Sequence, residues 1–214
     1  FSFQNKEGDF RGIYGNQYTP NYSAAIAELL IKAGYANDVR IKKVFEWLIA
    51  IRQNDGGWVI PLRTRKANLK AISDNSETLK PDVTKPFSHL VTGVVLRAFA
   101  AHPVYRNSKE AKQAGQLLLH NLFKKDNYAD RAGKEYWLKF TFPFWYTDLL
   151  SALDSLSQMG FTEQEPQIAE ALNWFIKQQS KTGMWELYVL KNHDKQLTQA
   201  WLSLAICRVF KRLK

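Results

Sequence analysis

Apolar residues along this chain recur with the three- and four-residue spacing of a helix, in two styles that alternate. Segments such as Ala24-Ala25-Ile26-Ala27-Glu28-Leu29-Leu30 and Leu90-Val91-Thr92-Gly93-Val94-Val95-Leu96 are apolar almost all round. Between them lie amphipathic segments, in which Ile168, Leu172, Phe175 and Ile176 form one stripe while Glu165, Glu170 and Lys177 fall elsewhere. A helix that is apolar on every side must be covered on every side, whereas one with a single stripe keeps its back to water. The pattern predicts an all-α chain of seven main helices near residues 21–34, 38–53, 87–101, 108–125, 145–159, 165–180 and 195–213. The odd ones form an inner layer and the even ones an outer layer. No extended run alternates apolar and polar residues, so no sheet is expected.

A repeat underlies this alternation. Trp47-Leu48-Ile49-Ala50-Ile51-Arg52-Gln53-Asn54-Asp55-Gly56-Gly57-Trp58 is echoed by Trp174-Phe175-Ile176-Lys177-Gln178-Gln179-Ser180-Lys181-Thr182-Gly183-Met184-Trp185. A third copy of its second half, Gln4 to Phe10, opens the chain, which therefore starts near the end of a repeat. That start is compatible with a leader or further repeats before Phe1. Each turn is followed by an aromatic or apolar residue and a hydroxyl: Tyr22-Ser23, Phe87-Ser88, Tyr146-Thr147 and Leu197-Thr198. These hydroxyls are expected to cap the inner helices. The middle copy, ending near Tyr128, lacks a Gly-x-Trp closure. Repeat ends near 10, 58, 128 and 185 within a single domain over 1–214 are the expected organisation.

Together, Trp174-Phe175, Gln179, Gly183 and Trp185 resemble the glutamine-tryptophan (QW) motif of squalene and oxidosqualene cyclases. The helix pairing also resembles that of protein prenyltransferases, and the likeness covers most of the chain as a fold pattern. It implies an α/α toroid of stacked hairpins. In that family the Gln bonds backbone at a helix end and the Trp stacks over it. Gly8, Phe10, Gly56, Trp58, Gln179, Gly183 and Trp185 are then structural residues, with Arg52 standing where the second copy's Gln should be. Seven helices make three and a half hairpins, so an open or incomplete ring is expected. The resemblance implies an isoprenoid or other apolar ligand, with or without a diphosphate, and, if the chain is an enzyme, prenyl transfer or terpene cyclisation.

The catalytic elements of both families are missing. No D-x-D-D element occurs, and Asp126 with Asp130 has only a superficial likeness to a metal-diphosphate motif. The single cysteine, Cys207, lies in a mostly apolar helix and is expected to be buried and inert, while His193-Asp194 lacks zinc-ligand spacing. No metal or cofactor is expected.

Charge changes the picture modestly. Thirty Lys and Arg against twenty Asp and Glu give a net charge of +10, which attracts phosphates, diphosphates, acidic membrane surfaces or nucleic acid. The basic residues are spread along the chain and no nucleic-acid module motif occurs, which argues against nucleic acid. One cysteine excludes an intramolecular disulfide, and the cytoplasm is the expected compartment. No apolar run approaches the roughly 20 residues of a membrane span, which leaves peripheral contact as the route to a membrane.

In a two-layered ring the starts of the inner helices converge on one mouth, where backbone N–H groups and helix dipoles favour anions. His89 and Asp148 fall at such starts and are the candidates for acid–base work. Tyr22, Trp145, Tyr146, Gln199 and Trp201 are the candidates for ligand contact there, and Phe140, Phe142 and Phe144 enrich the same region in aromatics. Residues 59–85 form a long loop carrying Arg63, Arg65, Lys66, Lys70, Lys80 and Lys85, either a basic lid or a solvated loop. Two other readings stay open: a helical scaffold for a protein partner, and a carbohydrate-active toroid using Tyr146, His89 and Asp148.

Overall fold

The computed structural model describes residues 1–11, 18–65, 78–129, 133–141, 146–190 and 194–214. Its main helices follow the hydrophobic pattern: α1 Pro20–Leu30, α2 Val39–Ala50, α4 His89–Ala101, α5 Lys109–His120, α6 Leu149–Gln158, α7 Pro166–Gln178 and α8 Lys195–Leu213. A short extra helix, α3 Pro61–Thr64, lies within the expected long loop, its start fixed by Pro61. Among the described residues no strand forms; isolated bridges join Phe140 with Val189 and Gln179 with Trp185, and Leu79 also sits in a bridge.

The two layers are those of an α/α toroid. Helix α1 packs on α4, α4 on α6 and α6 on α8, forming the inner row, while α2 backs α1, α5 backs α4 and α7 packs on α5. Eleven of the thirteen residues of α4 are buried, as a helix covered on both flanks requires. On α7 the buried residues are Ile168, Ala171, Leu172 and Phe175, and Ile176 instead lies 51% exposed on the outer side. The ends of the row differ from its middle. Tyr22 and Leu29 of α1, and Leu197, Trp201 and Leu204 of α8, are exposed, and among the described residues no further inner helix covers those flanks. Cys207 lies on the open side of α8 and is exposed, not buried as its apolar neighbours suggest.

The three Gly-x-aromatic turns are built alike. The backbone N–H of Asn5, Gln53 and Ser180 donates to the carbonyl of Asp9, Gly57 and Met184 at 2.9, 2.9 and 2.8 Å. Closing so tight a turn needs a left-handed residue, supplied by Gly8, Gly56 and Gly183 with φ of 109°, 102° and 81°. The next aromatic then docks on the following inner helix: the N–H groups of Phe10, Trp58 and Trp185 donate to the hydroxyls of Ser23, Thr92 and Ser203 at 2.9, 2.9 and 3.0 Å. Both indoles also donate back to the outer helix just left, Trp58 to the Leu48 carbonyl and Trp185 to that of Phe175, each at 2.7 Å.

Gln4 and Gln179 brace their turns by donating to the carbonyls of Gly8 and Gly183, both at 2.8 Å. In the second copy Gln53 reaches instead to the carbonyls of Asp82 and Lys85, at 2.7 and 2.8 Å, and so fastens the loop end to α2. The middle copy has an indole after all. Trp137, on a short 3-10 helix at Lys134–Leu138, donates to the Lys124 carbonyl at 2.8 Å.

The capping scheme differs from the one the spacing suggests. Of the four hydroxyls, Ser88 caps its helix, whereas α6 and α8 are capped by Asp148 and Asp194. Ser23 sits inside α1 and bonds the Phe10 main chain, Thr147 donates to the Leu90 carbonyl at 2.7 Å, and Thr198 lies within α8. Buried main-chain groups of the preceding turn or neighbouring helix need partners, and Ser23 and Thr147 satisfy them.

Candidate functional site

The starts of α4 and α6 meet through the Thr147–Leu90 bond, and each start carries a buried ionisable group. At α4, Asp126 from the segment after α5 accepts from the Ser88 hydroxyl at 3.0 Å and the Leu90 N–H at 3.2 Å, while its other oxygen accepts from the Tyr128 N–H at 3.0 Å. A carboxylate in this position meets the orphan N–H groups and the positive end of the helix dipole. His89 Nδ1 lies 3.2 Å from the same carboxylate, and its ring stacks on Trp137 at 4.6 Å between centroids and 23° between planes.

His89 is 3% exposed. Burial pulls its imidazole below the usual histidine range, with the Asp126 charge opposing. Burial therefore favours the neutral ring near pH 7, while Nδ1 faces the Asp126 carboxylate at ion-pair distance. Stacking on Trp137 and the approach to Asp126 set the orientation of this ring.

At α6, Asp148 is fully buried and caps the helix, accepting from the N–H groups of Ser151 at 2.8 Å and Thr141 at 3.0 Å. Ser151 returns the bond to the Asp148 N–H at 3.0 Å, completing a capping box. Burial raises the Asp148 carboxyl from 3.8 to about 6, with the bonds from Ser151 and Thr141 and the Arg97 charge opposing. A carboxyl that exchanges its proton near neutrality is unusual among caps.

The expected ligand contacts are distributed. Tyr146 is buried, donates its hydroxyl to the Lys139 carbonyl and meets Tyr136 edge-on at 6.3 Å. Gln199 is buried and occupied by the Leu187 main chain, accepting from its N–H at 3.1 Å and donating to its carbonyl at 2.7 Å. Tyr22 and Trp201 lie at opposite ends of the inner row. Trp145, Phe142 and Phe144, the loop lysines Lys66 and Lys70, and Asp130 and His193 lie outside the described residues.

Three features were not read from the sequence. Asp126 has its partners 36 to 38 residues away, and Trp137 follows an irregular segment, so neither shows a local pattern. Glu28 and Arg97 form a 2.6 Å ion pair, at 5% and 11% side-chain exposure, that ties α1 to α4. Their signal was visible: each is a lone charge within an apolar helix.

The model of the squalene-hopene cyclase C-terminal domain matches residues 14–205. The chain belongs to that family. No curated protein and no solved structure matches it significantly. His89 and Asp148 stand singly at the starts of inner helices, and the sequence has no D-x-D-D element. No helix among the described residues is long and apolar enough to cross a membrane.

Proposed function

We propose that this cyclase-family chain binds an isoprenoid or a similarly apolar small molecule at the mouth formed by the starts of α4 and α6, and that it does so without protonation-initiated cyclisation. The observation that carries the reading is the His89–Asp126 pair, buried, oriented and backed by the Trp137 ring. A neutral, oriented imidazole accepts a proton far more readily than it delivers one to an alkene. Deprotonation or simple polar anchoring of a ligand headgroup suits it better than initiating a cation cascade. In this reading His89 and Asp148 are the acid–base groups, Tyr146 supplies an aromatic wall, Gln199 shapes the Leu187 main chain, and Tyr22 and Trp201 extend the apolar surface from the end helices.

Organic extraction of the purified protein followed by mass spectrometry tests this proposal. A co-purified polyprenyl compound, recovered from wild type and reduced in His89→Gln, supports it; protein that is free of lipid and binds no added polyprenol overturns it. A second reading, a scaffold for a protein partner, draws support from the exposed apolar flanks Tyr22–Leu29 and Leu197–Trp201–Leu204. Loss of partner capture on Trp201→Glu with lipid content unchanged would favour it.

A further inference from the structure

A groove lies in the outer layer, away from the starts of the inner helices. It encloses about 930 Å³ between α7 and the 3-10 helix at Lys134–Leu138, within the range of roughly 300–1,000 Å³ typical of small-molecule sites. One wall is a single face of α7 running from Pro166 through Ala169, Glu170, Asn173 and Trp174 to Lys177. At the rise of a helix this face is about 16 Å long. The opposite wall is Phe123, Lys134, Glu135 and Leu138.

Three observations define what fits. The floor is aromatic and only partly covered: Trp174 rests on Phe140 and Phe175, with centroids 5.9 and 5.1 Å away, while lining the cavity. Phe123 lines the facing wall on a left-handed backbone with φ of 61°, which among the described non-glycine residues occurs only there. Such backbone strain gathers at ligand clamps. The rim carries both signs in balance, Lys134 and Lys177 against Glu135 and Glu170, together with the amide of Asn173. A diphosphate would meet two carboxylates, and a cation two ammonium groups. A neutral ligand with hydroxyls meets donors and acceptors along both edges and an aromatic surface beneath.

We infer that this outer groove is a binding site for a neutral oligosaccharide, whose pyranose C–H faces stack on Trp174 and Phe123 and whose hydroxyls bond Glu170, Asn173 and the two lysines. The groove shares the 3-10 helix at Lys134–Leu138 with the inner mouth, where Trp137 stacks on His89, but opens on the outer layer.

Titration of the full chain with neutral tri- and tetrasaccharides of glucose, N-acetylglucosamine, mannose and xylose, followed by tryptophan fluorescence and calorimetry, tests the inference. At least one saccharide binds saturably. Glu170→Gln and Asn173→Ala each weaken it about tenfold, the loss of one hydrogen bond. Ala169→Trp, which fills the groove from a solvent-facing wall, abolishes binding while leaving circular dichroism and lipid recovery unchanged. Absence of saturation by every saccharide, binding undiminished by Ala169→Trp, or preferential filling of the groove by farnesol or inorganic diphosphate overturns the assignment.

Discussion

Gly93 of α4 lies directly against Thr147 at the start of α6: a Cβ built at position 93 would stand 2.3 Å from both the hydroxyl oxygen and the methyl carbon of Thr147. The same hydroxyl donates to the Leu90 carbonyl, so the two inner helices cannot slide apart to admit it. Gly93→Ala is expected to destabilise the fold by about 1–3 kcal/mol, as overpacking does. In a Thr147→Ala background the added cost of Gly93→Ala should fall well below that. Urea denaturation of the four proteins of this cycle measures the difference.

The indoles that close the hairpins are expected to act as independent clasps. Trp58→Phe and Trp185→Phe each leave a buried carbonyl, of Leu48 or Phe175, without its donor and should cost about 2–4 kcal/mol. Because they close different hairpins, the double substitution should equal the sum within about 0.5 kcal/mol. Strong non-additivity in chemical denaturation would contradict this.

Asp148 makes a signed pH prediction. Its carboxyl, raised from 3.8 to about 6, stays protonated in the folded chain where the unfolded chain has already released its proton. Its contribution therefore destabilises progressively as pH rises from about 4 to 6, by on the order of 2–3 kcal/mol in full. Asp148→Asn removes that dependence, so the stability of the variant minus that of wild type should rise across this window. A difference that is flat between pH 4 and 7 would refute it.

His89 titrates in the opposite sense. Its folded-state value lies below the ordinary 6.5, so stability from this group is present above that pH and is lost as pH falls through it, when the unfolded chain protonates first. Proton NMR should find the His89 imidazole neutral at pH 6.5. Asp126→Asn, by deleting the opposing charge, should push its titration lower still and weaken the start of α4.

The sites show how unevenly sequence reports on structure. The Gly-x-aromatic turns were legible because every residue they need lies within one short window, and the spacing from Trp47 to Trp58 recurs from Trp174 to Trp185. The caps were misjudged because Ser23 and Thr147 answer to distant main-chain groups, Phe10 and Leu90, that no local pattern encodes. His89 stood out as a lone ionisable residue at an inner-helix start, while its partner Asp126 arrives from beyond the outer helix α5 of the same repeat.

What the sequence determined by itself is the alternation of enclosed and half-wetted helices, since apolar periodicity is a local property and burial follows from it. It also carried the turn glycines, whose left-handed backbone is a one-residue requirement. Only the tertiary structure decided which groups meet: Asp126 beneath His89, Trp137 closing the middle hairpin, Glu28 paired with Arg97, and the open flanks of α1 and α8. Those relationships depend on the order in which helices pack, and packing order is set by surfaces that come together only when the chain has folded.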